Sequence, residues 1–403
     1  MSWEMAKLEE ICDVIRGVTY SSDQSFNDNS ECEDLIPILR AGNIQNQLIL
    51  DDKLVWVSKD LVKEQQIIKA EDILMCTSSG SSDLVGKNAI ADQNWYGSYG
   101  AFCANLRNKN KDRLNSKFLY FYLNSDGFSN WTKKSSGANI KNIRISELRD
   151  FCAPLPPLPE QQRIADILDK AEAITQKREQ ALTLCDEFLR ATFLDMFGDP
   201  VSNPKGWEVD KLESFILHMN NGLSRRRKVQ ENVGDIVLRL QDIQYDGIGF
   251  DRELNRVELD EDEKKRYELL AGDILFVRVN GNPDYVGRSA VFNGYQEPVF
   301  HNDHLIRIRL NERLLPEYLV FLLHSDIENN LISQQIKTSA GQHTISQKGI
   351  NNIEIPIPSA ELQQEFIAVV EKVNTVKAKI QNAQELPLFD ALSQQAFKGE
   401  LTQ

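Results

Sequence analysis

PPLPEQQRIADILDKAEAITQKREQALTLCDEFLRATFLDMFGDP, residues 156–200, opens on a proline-rich stop and runs from Glu160 to Phe197 without Gly or Pro. It ends at Gly198-Asp199-Pro200. That pattern predicts one long helix between two breakers. Ile164, Ile167, Ala171, Ile174, Ala181, Cys185 and Phe188 recur at three- and four-residue steps with heptad character, and Leu168, Leu182 and Leu189 widen the stripe. At ~1.5 Å per residue the helix is roughly 55 Å long. Its apolar face therefore outruns any one small domain and needs a partner along its length.

The same chain supplies a partner. Residues 358–401 read PSAELQQEFIAVVEKVNTVKAKIQNAQELPLFDALSQQAFKGEL. At an offset of 202, Ile164 falls on Phe366, Ile167 on Val369, Ala171 on Val373, Ile174 on Val376 and Ala181 on Ala383. Gln161-Gln162 falls on Gln363-Gln364, and Pro154-x-Pro156 on Pro356-x-Pro358. Any amphipathic helix carries such a stripe, but the stripe alone does not explain prolines, glutamines and phase matching at one offset. The expected helix-pairing set is these five pairs with Ile380, which lies seven residues after Val373. Pro387 lacks an N–H and is expected to stop or kink the second helix near Leu386.

The flanks repeat too. Trp3-Glu4-x-x-Lys7-Leu8-Glu9 returns as Trp207-Glu208-x-x-Lys211-Leu212-Glu213, and Leu39-Arg40 as Leu238-Arg239. Asp72-Ile73-Leu74 returns as Asp273-Ile274-Leu275, and Val85-Gly86-Lys87-x-Ala89 as Val286-Gly287-Arg288-x-Ala290. The chain is thus one unit, module plus helix, written twice. The expected boundaries are a module over 1–155, a helix over 156–199, a second module over 200–357 and a second helix over 358–403. The expected class is α+β, with two pseudo-symmetric, strand-rich mixed α/β modules separated by two long helices. Copies that keep a frame and vary loops point to one job with two targets.

Composition narrows the function. No stretch is long and apolar enough to span a membrane, and the N-terminus lacks a signal pattern, so a cytoplasmic protein is expected. Cys12, Cys32, Cys76, Cys103, Cys152 and Cys185 have no paired spacing, which favours reduced structural thiols. The net charge of −14 argues at first sight against nucleic acid. Basic residues nevertheless cluster locally: Arg225-Arg226-Arg227-Lys228, Lys133-Lys134 with Lys141 and Arg144, and Lys337 with His343 and Lys348. Acidity gathers elsewhere, as in Glu258-Leu259-Asp260-Glu261-Asp262-Glu263.

Within each module, Leu35–Leu39, Leu54–Val57 and Ile73–Cys76 read as short strands, and Ser116–Asn124 and Pro316–Ser325 as matching helices. Two loops per module carry short hydrogen-bonding groups. The first follows the Asp-Ile-Leu strand, with Ser78, Ser79 and Ser81 in one module and Arg278, Asn280 and Asn282 in the other. The second precedes the long helix, with Lys133, Lys134, Asn139 and Lys141 in one copy and Lys337, Gln342, His343 and Lys348 in the other. Arg225 to Lys228 form a third candidate. Such groups suit phosphate or base-edge contacts, and plain Gly/Ser turns are the competing reading.

No catalytic constellation emerges. Phosphate-loop, dinucleotide and nucleophile-elbow motifs are missing. His301-Asn302-Asp303-His304 resembles a metal pair only superficially, since the first module has Gly100-Ala101-Phe102-Cys103 there. No metal site is expected.

The junction Phe197-Gly198-Asp199-Pro200-Val201-x-Asn203-Pro204-Lys205-Gly206-Trp207 resembles the specificity subunit of Type I restriction-modification systems. So do Pro154-Leu155-Pro156-Pro157-Leu158-Pro159-Glu160-Gln161-Gln162 and Ala396-Phe397-Lys398-Gly399-Glu400-Leu401. The resemblance covers the full chain. It implies two target-recognition domains, each reading one half of a bipartite site in double-stranded DNA. It implies two helices pairing antiparallel as a coiled-coil spacer. It further implies a non-catalytic subunit that recruits two adenine-N6 methyltransferase subunits and ATP-dependent restriction and translocase subunits. S-adenosylmethionine, ATP and Mg would sit on those partners and no cofactor on this chain. Two other readings stay open: a methyltransferase or nuclease in its own right, and a paired protein-binding scaffold with no DNA role.

Overall fold

The structure, a computed structural model, describes residues 3–28, 34–81, 84–135, 142–224, 233–244, 247–324, 331–339, 341–382 and 388–401. The chain divides into two compact units, one of residues 1–180 with 382–403 and one of residues 181–381. The helix Leu158–Phe197 is continuous, and its two halves belong to different units.

The first unit holds a four-stranded antiparallel sheet in the order Cys12–Arg16, Cys103–Asn108, Ile73–Cys76, Asn88–Ile90. A second sheet runs Ser25–Phe26, Val55–Ser58, Leu35–Leu39, Ser98–Tyr99, its last pair parallel. The strand Ile73–Cys76 is buried at every position, so it reads as a continuous apolar run and not as an alternation. Met5–Lys7 pairs with Cys152–Pro154 and brings the start of the module to the foot of the long helix.

The second unit repeats this plan. Its four-stranded sheet is Ile216–Asn221, Leu305–Leu310, Ile274–Val277, Ser289–Val291, and Ile274–Val277 is again buried throughout. A three-stranded sheet orders Arg256–Val257, Asp235–Leu238, Val299–His301, the last pair parallel. Glu208–Lys211 pairs with Glu354–Ile357. Each central strand is preceded by a buried aspartate that holds an arginine of the neighbouring strand in two hydrogen bonds. Asp72 takes Arg107 at 2.8 and 2.6 Å, and Asp273 takes Arg309 at 2.7 and 2.7 Å.

The repeated glutamines lock module to helix. Gln161 accepts from the Asn115 backbone N–H (2.8 Å) and donates to the Arg113 (3.0 Å) and Pro156 (2.7 Å) carbonyls. Gln363 accepts from the Leu315 N–H (2.9 Å) and donates to the Arg313 (3.1 Å) and Pro358 (3.0 Å) carbonyls. Both are fully buried, so these bonds satisfy groups that water cannot reach.

Each unit then packs its short helix against two longer ones. In the first, the helix Ser116–Leu123 meets the C-terminal helix Leu388–Lys398 through Phe118–Phe397 and Phe121–Phe389 ring contacts, both at 5.7 Å. Ile164, Leu168 and Ala396 share that core, and the Arg163 guanidinium donates to the Leu401 carbonyl (3.0 Å). In the second, Phe193 and Phe197 of the central helix meet Tyr318 and Phe366. Further along, Lys377 reaches Asp186 at 2.9 Å, so the helices Leu158–Phe197 and Ala360–Asn382 run antiparallel. The central helix closes at Gly198 (φ +78°), and the Trp207 indole N–H donates to the Phe197 carbonyl (2.8 Å), which turns the chain into its second module.

The expected helix seam needs correction. Ile174 is 41% exposed and Val376 49% exposed. The covered line passes instead from buried Ala171 through half-buried Thr175, Arg178, Leu182 and Cys185 to buried Leu189, and from buried Phe366 through half-buried Val370, Val373 and Lys377 to Ile380. An α-helix turns in 3.6 residues, so a stripe followed at a strict seven-residue repeat drifts off its own face. Lys377 is mostly covered there, and its ammonium pairs with Asp186. Ile164, Ala171 and Phe366 are buried, Ile167, Ala181, Val369, Val373 and Ile380 half-buried, and Ala383 lies outside the described residues. The second helix ends at Asn382 and a new one starts at Leu388, with Pro387 in the undescribed gap. Among the described residues no helix is long and apolar enough to cross a membrane. The five described cysteines are free thiols, and burial pushes Cys12 and Cys103 up to about 12.

Candidate nucleic-acid interface

In the second unit the two loops singled out in the sequence form one structure. After Ile274–Val277 the chain makes the short strand Val279–Asn280, which pairs with Gln342–Thr344. That strand in turn pairs with Lys337–Ser339. Asn280 thus stands opposite His343, and Lys337 opposite Thr344. The hairpin turns at Gly341, whose φ of +78° suits a residue without a side chain. The His343 ring is held by the Thr338 hydroxyl at 2.8 Å. Asn280 and Asn282 cap the tip, their side-chain oxygens accepting from the backbone N–H of Asn282 (2.9 Å) and Asp284 (3.0 Å).

A chain of hydrogen bonds ties this sheet to the third candidate segment. The Arg278 carbonyl accepts from Ile345 N–H (2.9 Å), and its guanidinium donates to the Asp303 carbonyl (3.2 Å). Asp303 N–H donates to the Leu223 carbonyl (3.0 Å), two residues before Arg225 to Lys228. Gly222 sits so close to this strand that a Cβ would fall 2.2 Å from the His301 carbonyl oxygen. All three candidate segments therefore leave from one rim. Arg225, Arg226, Arg227 and Lys228 themselves lie outside the described residues, and Lys348 is exposed on the helix Gln347–Asn351.

The first unit has the same rim. Ile143 N–H donates to the Thr77 carbonyl (2.7 Å), Ser78 bridges to Asn142, and Gly17 stands on the Gly100 carbonyl as Gly222 stands on His301. Ser78 and Ser79 are half-buried, Ser81 is exposed, and Ser79 Oγ accepts from Ser81 N–H (3.2 Å). Lys133 is exposed on the helix Asp126–Ser135, which also carries Lys134; Asn139 and Lys141 lie outside the described residues.

The His301–His304 motif comes apart. His301 is fully buried on its strand, with Nδ1 3.1 Å from the Tyr267 carbonyl, and burial lowers it to about 4. His304 is exposed on the following turn. Among the described residues no three His, Cys, Asp or Glu side chains gather as metal ligands. Sequence reading missed the turn itself. In the first unit it carries Phe102, a large apolar ring left 68% exposed at the rim. Its only trace in the sequence is an aromatic residue directly before an apolar strand.

The model of the Type I restriction modification DNA specificity domain matches the chain twice, over residues 1–184 and 204–386. The chain is 32% identical over 420 residues to the Type I restriction enzyme EcoKI specificity subunit of Escherichia coli (strain K12), covering 99% of this chain and 89% of that relative. It is 32% identical over 423 residues to the Type I restriction enzyme StySPI specificity subunit of Salmonella potsdam, again covering 99% and 89%. The Type-I restriction-modification system S subunit from M. genitalium, a crystal structure, shares the fold with a TM-score of 0.58 at 15% identity. That match covers 100% of this chain and 97% of the other.

Proposed function

The chain belongs to the Type I restriction modification DNA specificity family, and from that premise we propose that each of its units reads one half of a bipartite DNA target. Members of the family are specificity subunits, the non-catalytic component of a restriction-modification complex. The observation that supports the two-headed reading is the rim built the same way in both units, with different side chains on it. Ser78, Ser79 and Ser81 in one copy and Arg278, Asn280 and Asn282 in the other offer unlike donor sets, as two unlike half-sites require.

In this reading Lys133, Lys134, Lys141, Arg225 to Lys228, Lys337 and Lys348 meet phosphates, and Asn139, Asn280, Asn282, Gln342 and His343 meet base edges or sugars. The long helices act as the spacer between half-sites. They also recruit adenine-N6 methyltransferase subunits and, with them, ATP-dependent restriction subunits. S-adenosylmethionine, ATP and Mg then belong to those partners. The acidic balance fits a chain that selects the sequence while partners neutralise much of the backbone charge.

Charge reversal tests the contacts. Replacing Arg225, Arg226 and Arg227 by Glu in the assembled complex is expected to weaken duplex binding by about tenfold or more at moderate salt, with melting unchanged. Each lost phosphate contact should flatten the salt dependence by about one power of salt concentration. Unchanged affinity with intact melting removes this segment from the interface.

A further inference from the structure

The turn between the parallel-paired strand and the next strand of each unit is more than a connection. In the first unit it is Gly100–Cys103, closed by Cys103 N–H on the Gly100 carbonyl (2.8 Å). In the second it is Asn302–Leu305, closed by Leu305 N–H on the Asn302 carbonyl (3.0 Å). The third residue of each turn is a ring, Phe102 in one and His304 in the other.

Both rings stand on backbone that is held from the loop below. The Phe102 carbonyl accepts three hydrogen bonds, from Thr77 N–H (2.8 Å), Ser78 N–H (3.1 Å) and the Thr77 hydroxyl (2.9 Å). The His304 carbonyl accepts from Arg278 N–H (2.8 Å), and its own N–H donates to Asn302 Oδ1 (3.2 Å). Thr77 and Arg278 open the same first loop in the two units. So the turn cannot swing away from the rim, yet each ring projects from it. The Phe102 side chain remains largely in water, and the His304 side chain is 50% exposed.

Single exposed apolar residues are common on protein surfaces, but Phe102 stands on backbone bonded to Thr77 and Ser78 of the polar first loop, so its uncovered ring is placed at the rim for a planar apolar partner. Bases offer such a partner: every one has a π-face, and apolar side chains also pack on the thymine methyl or wedge at a base step. We propose that this turn is a base-contacting tip in both units. Phe102 packs against a base of the first unit's half-site, and His304 occupies the same place in the second, adding a hydrogen bond. The proposal rests on the DNA-reading function above and adds to it a residue class, rings on the turn, that the basic and amide clusters do not include.

The test uses the full chain assembled with its methyltransferase partner and a duplex carrying the sequence that the complex methylates. Phe102→Ala is expected to lower affinity for that duplex by roughly ten- to a hundred-fold while leaving binding to an unrelated duplex within about twofold. Phe102→Leu should recover part of the loss. A photo-crosslinking phenylalanine at 102 should label bases of one half-site, and one at 304 bases of the other. Wild-type affinity in Phe102→Ala, or a crosslink at 102 only to protein, overturns the proposal. A wild-type complex that shows no sequence preference at all would instead remove the function on which it rests.

Discussion

Gln161 and Gln363 show how single residues hold each module on its helix. Each makes three hydrogen bonds to backbone that is otherwise sealed from water. Gln363→Ala should cost about 1–3 kcal/mol, more than a surface substitution such as Gln364→Ala next to it. Thermal unfolding checks this: equal melting of the two variants would mean that the lock is incidental. His301 and His324 give a second prediction. Burial lowers both from 6.5 to about 4, and His324 Nε2 accepts from Ser289 N–H (3.1 Å) in the neutral form. The unfolded chain binds more protons between those values, so both residues stabilise fully above about 6.5 and progressively less as the pH falls toward 4. All five histidines lie in residues 181–381. The second unit should therefore lose several degrees of melting temperature relative to the first between pH 7 and about 5. Parallel behaviour of the two units over that window would contradict it. The glutamine repeat was legible in the sequence, but two of each residue's three partners were not, because they sit on a loop some 46 to 50 residues away in the chain. Phe102 was illegible for another reason: exposure depends on what lies above a residue, and spacing alone does not carry that.

At the scale of elements, the sequence announced its helices and central strands and misplaced the seam between the helices. Breakers, repeats and apolar runs are local signals, so Leu158–Phe197 and Ile73–Cys76 could be read directly. The seam depends on accumulated twist over many turns, and the strict repeat picks Ile174 and Val376, which are exposed, while their neighbours Thr175 and Lys377 are half-buried. Val373 is on the seam in both readings. Val373→Asp should accordingly destabilise the second unit by about 1–3 kcal/mol, whereas Val376→Asp should be nearly neutral. Circular dichroism melts of the two variants decide it, and a Val376 effect as large as that of Val373 would restore the original phase. The joining of both loops of the second unit into one small sheet, through Asn280 opposite His343, was likewise beyond the sequence. Strand pairs this short leave no periodicity to read.

For the whole molecule, the duplication explains what neither copy explains alone. One scaffold recurs down to the Asp72–Arg107 and Asp273–Arg309 pairs, the Gly17 and Gly222 contacts and the glutamine locks, while the rims differ. A scaffold kept and a rim varied is the arrangement expected of two readers with separate targets. The most direct measurement is a map of methylated adenines in the DNA of cells that carry the chain with its methyltransferase partner, before and after residues 1–155 are exchanged for those of another member of the family. One half of the methylated sequence should change while the other half and the gap stay the same. A map that is unaltered, or altered in both halves, would contradict it.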